Sequence, residues 1–139
     1  MMTKKEKYIT LRCIKFAKEQ LNINTPFSIK LSATREGFVT TGYFDPNTKL
    51  VAIYTKGRAL PDICRTALHE MTHLKDDQDG KTKGKHPEQG KIDHNKVDPN
   101  DIENRANAIA GSLLKKFAFG LKDSEGIDIY DMCVTVPHI

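Results

Sequence analysis

The stretch Ala67-Leu68-His69-Glu70-Met71-Thr72-His73-Leu74 decides how this chain is read. Two histidines four residues apart lie on one face of a helix, where both imidazoles can grip one ion. Zinc suits such a pair, because it accepts neutral imidazole nitrogen and tolerates a tetrahedral site with one position left for water. Glu70, offset by one residue, would stand beside the ion, as a general base must if it is to take a proton from a water polarised there. A chain of this composition would contain such an HExxH pattern by chance about once in a hundred, so its surroundings have to decide.

Immediately around the motif, Pro61 and Asp62 open a helix with Ile63, Cys64, Ala67, Leu68, Met71 and Leu74 on its apolar side. Upstream, Asp45-Pro46-Asn47-Thr48 separates two β-rich runs, Phe38 to Phe44 and Leu50 to Thr55, which predicts a hairpin. Before that, Phe27, Ile29, Leu31 and Ala33 alternate with polar residues in the pattern of a half-buried strand. At the start, Thr3 and Glu6 have capping-box spacing, and Ile9, Cys13, Phe16, Ala17 and Leu21 recur at helical intervals, which predicts a helix over residues 3–21.

Downstream, residues 76–97 lose all periodicity and read as a long charged loop of the kind that forms lids, binding loops or disordered insertions. Asp98 and Pro99 then cap a third helix with Ile102, Ala106, Ile109, Ala110, Leu113 and Phe117 on one side, and Gly120 as its expected end. A short strand or docking tail is expected over Ile127 to Val136.

The whole chain has 139 residues, one domain's worth. Its net charge of +4 arises from scattered basic residues, and those on the first helix, such as Lys4, Lys5 and Lys15, fit a solvated face, so a nucleic-acid partner is not expected. No apolar run approaches a membrane span, and the Lys-rich start is not a secretory pattern, which predicts a cytoplasmic protein. Cys13, Cys64 and Cys133 form no CxxC pair and read as buried thiols.

A catalytic zinc held by two histidines lacks one protein ligand. Glu103, one turn into the third helix, is the first candidate, because the small Ala106 and Ala110 would let that helix approach the metal helix closely. Asp79 is the rival, from a metzincin-like HExxHxxGxxD pattern in which Asp76 stands where glycine normally makes the turn. Asp76 and Asp77 otherwise read as acceptors that orient an imidazole, or as solvated loop charges. His86, His94 and His138 are candidate extra ligands or transition-state donors, and Tyr54 and Tyr130 candidate oxyanion donors.

The metal-helix segment 67–74, together with Glu103-Asn104-Arg105-Ala106-Asn107-Ala108-Ile109-Ala110, resembles the small zinc metallopeptidases of the ImmA/IrrE type, a minimal gluzincin-like family of bacteria, phages and mobile elements. The second segment is similar to that family's ExxAN third-ligand helix, and the similarity of pattern spans roughly residues 27–117. The resemblance implies His69, His73 and Glu103 on zinc and Glu70 as base. It implies an α+β zincin-like single domain over residues 1–139, working in the cytoplasm of a bacterial or phage-infected cell. It also implies a protein or peptide substrate, of which a transcriptional repressor is the family's example.

The expected reaction is hydrolysis of a peptide bond, with residues 49–55 as the sheet edge along which an extended substrate would lie. The alternative is a zincin scaffold that binds or regulates without turnover, against which the intact Glu70 argues. No helix-turn-helix module of the kind some relatives carry is visible.

Overall fold

The computed structural model describes residues 2–34, 41–81 and 99–131. Among them are three helices and a three-stranded sheet, in the order α1 (Lys4–Gln20), β1 (Ser28–Ser32), β2 (Gly42–Asp45), β3 (Leu50–Tyr54), α2 (Leu60–Gln78) and α3 (Pro99–Glu125). This is a small α+β domain.

Thr3 starts α1 as the spacing predicts. Its hydroxyl accepts a hydrogen bond from the Glu6 amide at 3.0 Å, and the Glu6 carboxylate accepts one from the Thr3 amide at 2.9 Å, so two amides without intrahelical partners are satisfied reciprocally. Ile9, Cys13, Ile14 and Ala17 then bury one face of the helix. After α1 the chain turns through Asn22, whose φ is 54°, and enters β1, where Ser28 and Lys30 are exposed while Ile29 and Leu31 are partly covered.

The predicted turn joins β2 to β3. The Asn47 amide donates to Oδ1 of Asp45 at 2.9 Å, a local bond that short polar side chains make in tight turns. The two strands pair antiparallel from Gly42 opposite Ile53 to Asp45 opposite Leu50. β1 pairs parallel to β3, with Ser28 opposite Leu50 and Ser32 opposite Tyr54. The strand order is therefore β1-β3-β2, and residues 50–54 form the central strand. The expectation that residues 49–55 are an edge open to a substrate backbone is corrected, since both sides of β3 already carry a ladder. Val51, Ala52 and Ile53 are all fully buried, as suits a strand enclosed on every side.

α2 packs against β2 and β3, against α1, and against α3. Ile63, Ala67, Leu68, Met71 and Leu74 enter the core with Ile9, Ile14, Phe44, Ile53 and Leu114, and burial of this apolar surface is the main stabilising term. Cys13 and Cys64 are buried in the same cluster as free thiols.

Two predicted boundaries move. Residues 76–78 belong to α2 and not to the loop, because each polar side chain there has a tertiary partner: Asp76 with Arg105, Asp77 with Lys49, and Gln78 with the backbone of residues 22, 24 and 25. α3 runs through Gly120 to Glu125, because Leu121 is buried one residue beyond that glycine and extends the apolar stripe. The helix stops instead at Gly126, with a φ of 69° that favours glycine.

Residues 127–131 are not a strand, although Ile129 docks into the core. The run 38–40, the loop from residue 82 to 97, Asp98, Cys133 and the remainder of the expected tail lie outside the described residues. No helix among the described residues is long and apolar enough to cross a membrane.

Candidate metal centre

His69 and His73 occupy successive turns of α2, and their ring centroids lie 4.7 Å apart with an interplanar angle of 85°. Both point Nε2 at the same place. The two Nε2 atoms are 3.1 Å from one another, and Oε1 of Glu103 is 2.8 Å from that of His69 and 3.1 Å from that of His73. α3 supplies this carboxylate, and Ala106 and Ala110, both buried, lie on the stripe that faces the core. Burial of these two small residues accompanies the arrival of Glu103 at both imidazoles.

The three donors form a nearly equilateral triangle. Protons cannot satisfy it fully, since each Nε2 carries at most one hydrogen and a carboxylate only accepts. With both histidines protonated, each can serve Glu103, but the two nitrogens then face one another with like charge. A cation at the centre would satisfy all three donors. Ligands about 2.05 Å from a tetrahedral ion stand about 3.3 Å apart, slightly wider than this triangle, so the donor set fits a metal ion with small outward adjustments.

The local electrostatics follow from these contacts. Hydrogen bonds from His69 and His73 draw the Glu103 carboxyl down to about 2 from 4.5, against the opposing effect of burial. For His69, burial disfavours the charged ring, but the hydrogen bond to Glu103 and the charges of Glu70 and Glu103 outweigh it, and the pKa is raised. His73 is completely buried, so its orientation is imposed by packing.

Glu70 completes the surroundings. His69, Glu70 and His73 form a group able to hold a metal ion, their ligand atoms all lying within 4.8 Å of one another. Glu70 is only 4% exposed and is backed by β2. A Cβ placed on Gly42 would fall 2.6 Å from Cγ2 of Thr66, 2.9 Å from the Ala52 carbonyl oxygen and 3.5 Å from Cγ of Glu70. Glycine at 42 is what lets the strand come this close to the helix face that carries Glu70. The interruption of a β-rich run by glycine was the signal for such an approach.

Sequence alone does not match any protein-family model. No curated protein and no solved structure is significantly similar to the chain either.

Asp79, the rival third ligand, is the C-cap of α2, and its carboxylate pairs with Lys75 at 3.3 Å. The metzincin-like turn is absent: Asp76 stays helical, and the left-handed position falls at Gly80, with a φ of 75°. Asp76 and Asp77 are not solvated loop charges. Nε of Arg105 donates to both oxygens of Asp76, at 3.2 and 3.1 Å, and the Asp76 side chain is 2% exposed. Nζ of Lys49 meets Asp77 at 2.5 Å.

Tyr54 stands half-buried at the end of β3, where its carbonyl accepts from Arg58, while Tyr130 is 49% exposed near the end of the described chain. His86, His94 and His138 lie outside the described residues. Arg105 has no local signal of its role: it sits inside the segment that contains Glu103, yet its partner Asp76 is 29 positions away.

Proposed function

We propose that the protein is a zinc-dependent metallopeptidase of the gluzincin-like, ImmA/IrrE kind, with a zincin-like fold and an intracellular protein or peptide as substrate. The observation that carries this reading is the triangle of His69 Nε2, His73 Nε2 and Glu103 Oε1, flanked by the buried carboxylate of Glu70. Resemblance of the two motif segments to that family adds the expectation of peptide hydrolysis.

His69, His73 and Glu103 would hold the ion. Two imidazoles and one carboxylate suit zinc and leave a fourth position for the reacting groups. When bound, the ion polarises the scissile carbonyl and lowers the pKa of the attacking water towards about 7. Glu70 takes the proton from that water as it attacks the carbonyl carbon, and hands it to the departing amine nitrogen as the C–N bond breaks. Glu70 is buried where β2 passes close at Gly42, and its carboxylate lies within 4.8 Å of the ligand atoms of both imidazoles, so it has little conformational freedom to lose during proton transfer.

Glu70→Gln is the deciding variant, because it removes the base and spares all three ligands. It should retain the metal and lose cleavage, seen as protein fragments that accumulate in cells with the wild type but not with the variant. Undiminished fragment production by Glu70→Gln would end the peptidase reading.

A further inference from the structure

The ion pair between Asp76 and Arg105 lies next to the metal centre without belonging to it. Asp76 is one turn beyond His73 on α2, and Arg105 is two residues beyond Glu103 on α3. At about 100° per residue, Glu103 and Arg105 project about 80° to either side of the line through Ile102 and Ala106. Ile102 and Ala106 are the buried residues by which this end of α3 faces the core. The seam between the helices is thus held by an apolar stripe with one polar contact on each flank: Glu103 to the two histidines, and Arg105 to Asp76.

A narrow apolar stripe fixes the distance between two helices better than it fixes the roll of one about its own axis. Contacts on opposite flanks resist roll in both directions. The Arg105 contact is well made for this, since Nε bridges both oxygens of a carboxylate that is itself almost completely buried. A buried carboxylate without a cation is strongly disfavoured, so the Asp76 side holds the arginine in place.

We propose that the Asp76–Arg105 pair is a positioning device that sets the roll of α3 on α2 and thereby delivers Glu103 to the two imidazoles. Arg105 touches neither the ion nor the substrate; it acts through Glu103. The inference rests on the reading of His69, His73 and Glu103 as metal ligands, and its test separates the two.

Zinc affinity is measured by competition with a chromophoric chelator for the wild type, His69→Ala, Arg105→Gln, Glu103→Ala and the Arg105→Gln/Glu103→Ala double variant, with amide NMR spectra confirming the fold of each. Arg105→Gln should weaken zinc binding by about 10-fold, the lower end of the range for partners that hydrogen-bond a ligand directly, because Arg105 reaches Glu103 only through the roll of α3. In the Glu103→Ala background the same substitution should change affinity by less than about 2-fold, because the residue it acts through is gone. A merely structural role predicts the same loss in both backgrounds, and that result overturns the proposal, as does wild-type affinity in Arg105→Gln. If Arg105→Gln does not fold, Arg105→Lys, which keeps the charge but cannot reproduce the bridging Nε geometry, is read in the same cycle and judged by the same criterion. Equal, negligible zinc affinity in the wild type and His69→Ala would overturn the metal centre itself, and this inference with it.

Discussion

Oε1 of Glu103 stands 2.8 Å from Nε2 of His69, although 34 residues separate the two along the chain. An HExxH helix places two nitrogens side by side by its own geometry, but a third donor at the same point requires a second helix in the correct register and roll. That relationship makes the centre falsifiable by substitution of single side chains.

The protein should bind one equivalent of zinc. His69→Ala and His73→Ala should abolish stoichiometric binding, and Glu103→Ala should weaken it, while Asp79→Ala, whose carboxylate is engaged with Lys75, should leave it unchanged. Metal analysis after dialysis, followed by calorimetric titration, reads each case. Loss of metal in Asp79→Ala with retention in Glu103→Ala would transfer the third ligand to residue 79.

Gly42→Ala should destabilise the fold by about 1–3 kcal/mol, the usual cost of forcing extra volume into a packed site. The added methyl would meet Thr66 Cγ2 and the Ala52 carbonyl oxygen, the second of which is backbone and cannot rotate away. Urea denaturation measures the loss. Stability equal to the wild type would show that β2 and α2 are not in the close contact described.

Gln78→Ala should cost about 1–2 kcal/mol. The Gln78 amide oxygen accepts from the backbone N–H groups of Asn24 and Thr25, and its nitrogen donates to the Asn22 carbonyl, so one side chain ties the end of α2 to the α1–β1 connection. Hydrogen exchange should quicken at residues 24 and 25. Unchanged exchange there would contradict the bridge.

Glu125 is paired with Arg12, and that hydrogen bond and charge hold its carboxyl below the ordinary value of 4.5. A carboxylate with a depressed folded pKa contributes stability above its unfolded value, and the contribution is lost as pH falls through the folded value. The link between α1 and the last turn of α3 should therefore persist through pH 4.5 and open only at more acidic pH, with a weaker effect at high salt. NMR titration of the Glu125 carboxyl follows it directly. In Arg12→Ala the titration should return to the ordinary glutamate range, and an unmoved midpoint would rule the pairing out.

Local signals carried much of the architecture. The capping box at Thr3 and Glu6, the alternation from Phe27, the polar turn after Asp45 and the HExxH spacing are all short-range patterns, and each has its counterpart in α1, β1, the β2–β3 hairpin and α2. Misplaced boundaries have a common cause. Asp76, Asp77 and Gln78 look like loop residues until Arg105, Lys49 and the backbone at residues 22–25 are brought to them, and Gly120 looks like a stop until Leu121 is seen to be buried. In each case a distant partner outweighs a weak local preference.

The chain's own pattern was enough to determine the amphipathic helices, the hairpin and the facing pair His69 and His73, because helix and strand periodicity are properties of neighbours in sequence. Tertiary structure alone decided that β3 lies between β1 and β2, that Glu103 rather than Asp79 meets the imidazoles, and that Arg105 bridges to Asp76. Those outcomes depend on how separate elements pack against one core, and periodicity within an element carries no information about the roll, order or neighbours of that element once it has formed.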